Sequence, residues 1–142
     1  MTGWKQIENE ETLQAFICDV DGFHDALLHE AVLLNAGYVD KEGCMYGDVE
    51  LPSARMIIQS QFAGVIGVEL DLRGVSVFSL VFDRDIQMEG EMLKDCVALY
   101  PCGKEDANRS LIRAKAICYR MLGIESRGPQ FRLLNAETGS NL

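Results

Sequence analysis

The chain has 142 residues, of which 48% are hydrophobic and 25% charged, and it carries a formal net charge of −9. This length and composition predict a single globular domain with its own core, and no apolar run approaches the roughly 20 residues that span a bilayer. The negative charge disfavours nucleic acid and anionic membranes as ligands, whereas an acidic surface suits a basic protein partner.

The N-terminal region predicts a cytoplasmic protein that begins with a short helix. Residues 1–6 lack the basic segment followed by an apolar stretch that marks a secretory signal. Between residues 7 and 18 the apolar side chains have roughly helical spacing, and Asn9 is placed to cap a helix whose first turn is acidic. This helix is expected to end near residues 19–22, where Asp and Gly indicate a loop.

The stretch 23–37 fits two interpretations, since its apolar residues could coat a helix or fill both sides of a buried strand. The period of these residues does not decide between the two. We favour a strand, with the N-terminal helix packed on one of its faces. Residues 37–43 are typical of a strand end and a turn, and further strand-like sequence follows them.

After Pro52 the alternation of apolar and polar residues predicts antiparallel strands. The first of these strands begins at Ala54 and has apolar residues on one face. Its other face carries three long polar side chains, Arg55, Gln59 and Gln61.

Two glycines divide the sequence that follows. Gly64 marks a turn into a strand at 65–73, which has one apolar face and one polar face that includes Glu69. Gly74 predicts a second tight turn. The next strand, at 75–82, is apolar on both faces and is therefore expected to be central in the sheet.

The last third of the chain contains one further ambiguity. Two more strands are predicted at 86–94 and 96–100. At 110–122 the pattern alone favours a helix, because the apolar residues form a good helical face, although reading in twos partly fits a strand. Residues 125–142 are predicted to be a weakly ordered tail, which leaves residues 1–124 as the single β-rich domain.

The sharpest motif is Phe-Ile-Cys-Asp-Val-Asp-Gly at residues 16–22, which resembles the first motif of the haloacid dehalogenase-like phosphatases. The resemblance implies that Asp19 attacks phosphorus and that Asp21 donates and accepts protons beside a magnesium ion. That family needs strands and helices that alternate around a parallel sheet, whereas hairpins are predicted here after Gly22. A magnesium-dependent phosphatase is therefore the alternative function.

The two histidines and five cysteines do not predict a metal or cofactor site. His24 and Asp25, with His29, could form a metal or acid/base cluster, but His24 and His29 would point to opposite faces of a strand. A structural His24–Asp25 pair is the simpler interpretation. The cysteines contain no C-x-x-C pair, so we expect free thiols in a reducing compartment and predict no cofactor.

Long polar side chains mark a candidate binding surface. Arg55, Gln59, Gln61 and Glu69 lie on the polar faces of neighbouring predicted strands. A rigid sheet presents such side chains at low entropic cost, so this face could recognise a partner. It could equally be solvated surface.

Several short motifs follow one another in a fixed order. They are Phe-His-Asp at 23–25, a Gln-x-Gln strand at 55–62, a Glu-Leu strand at 68–70, and Ile-Arg-Ala-Lys at 112–115 with Tyr-Arg at 119–120. In this order they resemble a group of small uncharacterised bacterial proteins. The resemblance implies a mostly antiparallel β domain and a strand at 110–122. Similar proteins are found among candidate immunity proteins of bacterial toxin systems, which bind and block a toxin, and no catalytic residues come with this resemblance.

Together these observations predict an α+β, mostly β, domain with a short N-terminal helix and a curved antiparallel sheet, either barrel-like or a two-layer sandwich. The favoured function is non-catalytic protein binding, with toxin neutralisation as its specific role. The predicted binding residues are His24, Asp25, Arg55, Gln59, Gln61 and Glu69. Exposed strand edges make a homodimer a further expectation. The sign of a third function, a small-ligand-binding barrel, would be an apolar cavity lined by Met56, Phe78 and Phe82.

Overall fold

The computed structural model describes residues 3–47, 50–60, 67–81 and 85–122. Their elements in chain order are β1 (Lys5–Ile7), α1 (Glu10–Asp19), a 3-10 turn (Asp21–Phe23), β2 (Leu27–Leu34), β3 (Tyr38–Val39), β4 (Met45–Tyr46), β5 (Ser53–Gln59), β6 (Gly67–Ser79), β7 (Glu89–Met92), β8 (Val97–Tyr100), a second 3-10 turn (Lys104–Asp106) and β9 (Leu111–Leu122). Within these ranges no helix has the length and apolar composition needed to cross a membrane.

Seven strands form one antiparallel sheet, in which β2, β5, β6, β9, β8 and β7 follow one another and β1 also pairs with β9. The long strand β9 pairs with β6 along one side and with β8 and then β1 along the other. The sheet is open, since in the described part of the chain its end strands β2 and β7 do not pair with each other. The predicted α+β, mostly β, fold with an antiparallel sheet and a short N-terminal helix is confirmed.

Helix α1 begins where the sequence predicts it. The Asn9 side chain accepts a hydrogen bond from the Thr12 backbone N–H at 2.9 Å, and the Thr12 hydroxyl accepts one from the Asn9 N–H at 3.0 Å. This reciprocal cap fixes the start of the helix. Leu13 and Phe16 are fully buried, and the Phe16 ring packs against Tyr119 of β9, with 4.7 Å between ring centroids. The helix therefore covers one face of the sheet, which we call the inner face.

The core lies between α1 and the inner face. Alternate side chains of the central strands point into it, as expected for strands with one covered face. Its fully buried members include Met56, Ile58, Val68, Leu70, Leu72, Ile112 and Ile117. The opposite side of the sheet, the outer face, carries the polar residues of the same strands.

The turn predicted at Gly74 is wrong, because β6 is one strand from Gly67 to Ser79 that pairs with β9 on both sides of Gly74, with a register shift between Val75 and Val77. Gly74 lies inside the strand with a φ of 64°, a left-handed conformation that a residue with a side chain adopts only with strain. The buried apolar residues of β6 are two positions apart up to Leu72, whereas the next one, Val75, lies three positions further on. The prediction that the segment 75–82 is central is not confirmed, because among the described strands β5 pairs only with residues 67–72 of β6 and residues 75–79 pair with β9 alone.

The helix that the pattern alone favours at 110–122 is also wrong, whereas the strand implied by the resemblance is confirmed as β9. The buried positions of β9 step by three residues between Ala114 and Ile117. That step occurs opposite Gly74, where β6 makes the same change of face. The three-residue step resembles helical spacing, which explains the error.

The strand favoured for 23–37 is confirmed as β2, but the expectation that the N-terminal helix packs on one of its faces is wrong, since α1 packs against β1 and β7. Strand β2 lies at the end of the sheet, paired only with β5 among the described strands. The predicted turn at Gly64, the binding residue Gln61 and the tail 125–142 lie outside the described residues. The two strands predicted at 86–94 and 96–100 are present as the shorter β7 and β8.

Candidate functional site

A row of charged side chains crosses the outer face. Glu30 of β2, Glu69 of β6 and Arg120 of β9 lie in one cross-strand line, and Ile57 of β5 occupies the remaining place in it. Arg55 reaches into the row from β5. We call Glu30, Arg55, Glu69 and Arg120 the charged row.

Glu69 is the centre of the charged row. Its Oε2 accepts a hydrogen bond from Arg55 Nε at 2.6 Å, and its Oε1 accepts one from Arg120 Nε at 2.7 Å. The Glu69 side chain is only 9% exposed. Arg55 also donates from Nη1 to Glu30 Oε1 at 3.4 Å. Positive and negative groups alternate along the row, so each carboxylate has a guanidinium beside it, as a buried charge requires.

Trp4, just before β1, contacts the end of the charged row at Arg120. The guanidinium of Arg120 lies over its ring, 4.7 Å from the ring centroid. This distance is within the range in which a cation is attracted to the face of an indole ring. Arg120 is thus held from two sides, and the contacts of the charged row link β2, β5, β6 and β9 across the outer face.

The predicted binding residues separate into two groups. The structure brings Arg55 and Glu69 into direct contact. His24 and Asp25 lie in the loop before β2, where they form an ion pair of 3.3 Å with side chains 71% and 59% exposed. Gln59 lies opposite the first residue of β2 and is four residues from Arg55 along β5, or roughly 13 Å. The six residues therefore do not form one site.

Asp19 and Asp21 do not have the arrangement that the phosphatase motif needs. Asp19 is the last residue of α1 and so follows a helix, not a strand. Its Oδ2 accepts hydrogen bonds from Lys5 Nζ at 2.9 Å and from the Tyr119 hydroxyl at 2.8 Å. Asp21 is exposed in the 3-10 turn, and the sheet is antiparallel. In the described ranges, no three His, Cys, Asp or Glu side chains gather in a way that could hold a metal ion.

The Asp19 contacts shift two pKa values. The hydrogen bond from Lys5 is the main cause that lowers the pKa of the Asp19 carboxyl, and the Tyr119 hydroxyl acts in the same direction. Burial, followed by the bond to Asp19, raises the pKa of Tyr119. Both shifts favour an ionised Asp19 that holds the end of α1 against β9.

The loop between α1 and β2 has an unusual backbone. Asp21, Phe23 and Asp25 all have a positive φ, at 50°, 59° and 56°. Phe23 is nevertheless fully buried, and the Met88 N–H donates to the Gly22 carbonyl at 2.8 Å. Packing and this hydrogen bond hold a conformation that is costly for residues with side chains.

A second candidate surface was not predicted from the sequence. The described part of the chain exposes nine large hydrophobic side chains, and all of them lie between residues 27 and 51. They are Leu27, Val32, Leu33, Leu34, Tyr38, Val39, Met45, Tyr46 and Leu51. We call these residues, on β2, on the hairpin β3–β4 and on the segment before β5, the apolar edge. The apolar run of β2 gives no signal of its exposure, because the position of a strand in the sheet is not visible in its own residues.

Strand β2 has little protection as an edge strand. It contains no Lys, Arg or Pro, the residues that commonly block pairing at a sheet edge. A β-bulge interrupts it between Leu28 and Glu30, whereas the pairing with β5 is regular from Ala31 to Leu34. The regular part is also the apolar part.

The hairpin β3–β4 is ordered by its own contacts. The Tyr38 and Tyr46 rings stack with 4.8 Å between centroids. The Asp40 side chain accepts hydrogen bonds from the backbone N–H groups of Glu42 and Cys44, at 3.0 and 2.9 Å. Such a side chain mimics a backbone turn. The hairpin therefore presents its hydrophobic side chains in a fixed arrangement.

Comparison with models of protein families, with curated proteins and with solved structures gives no match for this chain. The resemblance to candidate immunity proteins consequently stays a prediction that rests on the short motifs. The candidate site is defined by geometry alone, as a self-paired charged row on the outer face and an apolar edge at one end of the sheet.

Proposed function

We propose that this chain is a non-catalytic protein-binding domain that takes its partner along the apolar edge. The observation that carries the proposal is that one stretch of chain, from residue 27 to residue 51, holds all nine exposed large hydrophobics of the described residues. Single exposed hydrophobics are normal, whereas a group of them marks an interaction surface.

The charge of the same stretch favours a basic partner. Between residues 27 and 51 the sequence contains five acidic residues and a single basic one, Lys41. Two copies of the chain that paired through this stretch would bring like charges together, which costs free energy. A partner segment with an apolar centre and flanking Lys or Arg residues would instead meet opposite charges. The homodimer is therefore the alternative outcome.

Strand addition is the binding mode that β2 supports. An extended partner segment would hydrogen-bond to the side of β2 that pairs with no described strand, and it would add a strand to the sheet. Val32 and Leu34 alternate with Leu33 across the two faces of the sheet, so the partner would contact apolar side chains on both faces. The ordered hairpin β3–β4 would add contact area at little entropic cost.

The specific role that we propose is toxin neutralisation in the cytoplasm. The resemblance of residues 23–120 to candidate immunity proteins supports the role, and the five free cysteines suit a reducing compartment. A protein of this type acts by occupying the surface of its toxin, so it needs an interaction surface and no catalytic residues.

Co-expression with the products of neighbouring genes tests the proposal. We expect one product, basic in charge, to form a complex with the full chain that elutes as a single species and weakens with added salt. Leu34→Lys, which places a positive charge on β2, should abolish that complex. Gln14→Lys makes the same charge change on the exposed side of α1 and should leave the complex intact.

Three results would overturn the proposal. A complex that Leu34→Lys and Gln14→Lys affect equally would place the interface elsewhere. A concentration-dependent dimer of the chain alone, lost in Leu34→Lys, would assign the apolar edge to a second copy. If no neighbouring product binds, the role in toxin neutralisation loses its support.

A further inference from the structure

A cavity of about 440 Å³ lies between the two ends of the curved sheet. Leu28 of β2 and Met56 of β5 line it on one side, and Ile86, Met88 and Cys102 line it on the other. The described lining residues come from β2 and β5, from the chain that follows β6, and from the segments just before β7 and just after β8. The volume of the cavity falls within the range of about 300–1,000 Å³ that is typical of small-molecule sites.

The backbone around the cavity is fixed. The Met88 N–H donates to the Gly22 carbonyl at 2.8 Å, and the Gln87 N–H donates to the Pro101 carbonyl at 2.8 Å. These two bonds tie the segment before β7 to the loop before β2 and to the end of β8. A preformed cavity pays less conformational entropy on binding than one that must open.

Two polar groups of the cavity wall bond to a serine that lies behind it. The Ser110 hydroxyl accepts from the Val81 N–H at 2.9 Å and lies 3.5 Å from the Cys102 thiol. Val81 and Cys102 line the cavity, whereas Ser110 is fully buried behind them. Because these groups are satisfied, the interior suits an apolar ligand rather than one that needs hydrogen bonds.

The mouth of the cavity, unlike its apolar interior, is lined by acidic side chains. Asp85 and Cys102 also line an adjoining open groove, which contains Glu89, Glu105 and Asp106. Among the described residues of its walls, Lys104 is the one cation. A ligand that filled the cavity would therefore extend its outer end into an acidic groove, on a protein whose net charge is −9.

We propose that this cavity binds a small molecule with an apolar body and a cationic end. The apolar body lies between Met56 and Met88, and the cation faces Asp85 at the mouth. Among the described lining residues only Leu27 belongs also to the apolar edge. The ligand site and the proposed protein interface are therefore distinct, and either can fail without the other.

Methionine methyl groups report directly on this proposal. Met56 and Met88 line the cavity, whereas Met45 is 77% exposed on the hairpin of the apolar edge. We would label the methyl carbons of the full chain with ¹³C and titrate it with decyltrimethylammonium below its micelle concentration. The signals of Met56 and Met88 should shift and saturate, while the Met45 signal stays unchanged.

The charge requirement is tested with matched ligands and variants. Decyl sulfate has the same chain and the opposite charge, and it should bind more weakly than the cation. Asp85→Asn should weaken the cation by about two- to fivefold, the effect expected for one exposed charge. Asp95→Asn, an exposed carboxylate on the turn between β7 and β8, should leave the affinity unchanged.

Cys102→Phe places an aromatic side chain in the cavity and should abolish binding in a variant that still unfolds cooperatively. Should that variant fail to fold, the titration of the unmodified chain still decides the question. Shifts at Met45 with none at Met56 and Met88 would show hydrophobic binding at the apolar edge alone and overturn the proposal. Equal affinity for the anionic and cationic decyl ligands would overturn the claim that the ligand has a cationic end. The absence of any saturable shift would overturn the claim that the cavity binds a small molecule.

Discussion

Strands β9 and β2 belong to the same sheet but have opposite surface chemistry. Around β9, charged side chains have partners within the fold: Glu69 pairs with Arg120 on the outer face, and Asp19 pairs with Tyr119 beside the helix. Along β2 the large side chains are apolar and lie in solvent. Contacts within the fold account for the arrangement at β9, whereas nothing in the described part of the chain accounts for the exposed apolar side chains of β2, where we propose that a partner binds.

This comparison shows that the residue type alone does not tell whether a strand side chain is paired within the fold or exposed to a partner. A polar side chain in a strand looks like a binding group, yet Arg55 and Glu69 already satisfy each other. An apolar side chain in a strand looks like core, yet Leu33 and Leu34 are exposed. Substitutions at the paired side chains around β9 should lower the stability of the fold. Substitutions at the exposed side chains of β2 should instead weaken binding of a partner, so measurements of stability and of binding distinguish the two regions.

The largest expected effect is that of Glu69→Ala. Removing this buried carboxylate takes away the counter-charge that Arg55 and Arg120 share, and it leaves Arg55 with only the longer bond of 3.4 Å to Glu30. Because both arginines are partly exposed, we expect a loss of about 3 kcal/mol in the free energy of unfolding, at the lower end of values for broken buried pairs. Urea unfolding followed by circular dichroism measures the change.

Asp71→Ala is the matched control for Glu69→Ala. Asp71 is also an acidic residue of β6, but its partner Arg73 is exposed. Surface pairs of this type contribute about 0–1 kcal/mol. Equal losses in the two variants would contradict the view that the charged row is a buried, structural network.

A smaller effect is expected for Tyr119→Phe on the inner side of β9. The change removes a hydrogen bond of 2.8 Å to Asp19 but leaves the bond from Lys5 in place. We expect a loss of about 1–2 kcal/mol, because a hydrogen bond to a charged group contributes more than a neutral one. Thermal or urea unfolding measures the loss.

Tyr38→Phe removes the same atom from the apolar edge. The Tyr38 ring is exposed and stacks on Tyr46, so the change should alter stability by no more than about 0.5 kcal/mol. Were Tyr38→Phe to cost as much as Tyr119→Phe, the hairpin hydroxyl would have an internal partner, and the contrast between the two regions would weaken.

Acid should weaken the contact between α1 and β9. The pKa of Asp19 is lowered in the folded state, so its ionised form contributes stability above its ordinary value of 3.8, and this contribution disappears as the pH falls through the lower folded value. The stability difference between the unmodified chain and Asp19→Asn should therefore be largest near neutrality and shrink below about pH 4. Urea unfolding at several pH values measures it.

Lys5 provides the check on this assignment. The Lys5 ammonium is the main cause of the lowered pKa of Asp19, so Lys5→Met should reduce the pH dependence that separates the chain from its Asp19→Asn variant. A difference that stays constant between neutral and acid pH would contradict an ionised, hydrogen-bonded Asp19.

Local chemistry made part of this fold predictable. The cap at Asn9 and the apolar alternation after Pro52 depend on neighbouring residues alone, so α1 and β5 lie where the sequence places them. The glycine at position 74 led to the wrong prediction of a turn. A glycine with a left-handed backbone occurs in turns, but it also occurs inside a long strand where the two-residue alternation of buried side chains shifts by one position. The paired strand β9 decides between the two, and it lies about 40 residues further along the chain.

The candidate site was less predictable for the same reason. The row that contains Arg55 and Glu69 includes Glu30 and Arg120, whose contributions depend on the register of four strands. The sequence correctly identifies the polar face but does not show that its charges are paired. The exposure of β2 depends on the order of strands in the sheet, which is why residues that look like core form the apolar edge.

Leu34→Lys is expected to have as small an effect on stability as Tyr38→Phe, together with the largest effect on binding. Leu34 is 63% exposed at the end of β2, so replacing it should change the free energy of unfolding by no more than about 0.5 kcal/mol. Urea unfolding of the isolated chain tests this directly. A loss well above that amount would mean that the folded chain itself covers Leu34, and the apolar edge would then be part of the core and not a surface for a partner. A near-zero change combined with loss of the complex would separate folding from binding at a single residue, as the contrast between β9 and β2 requires.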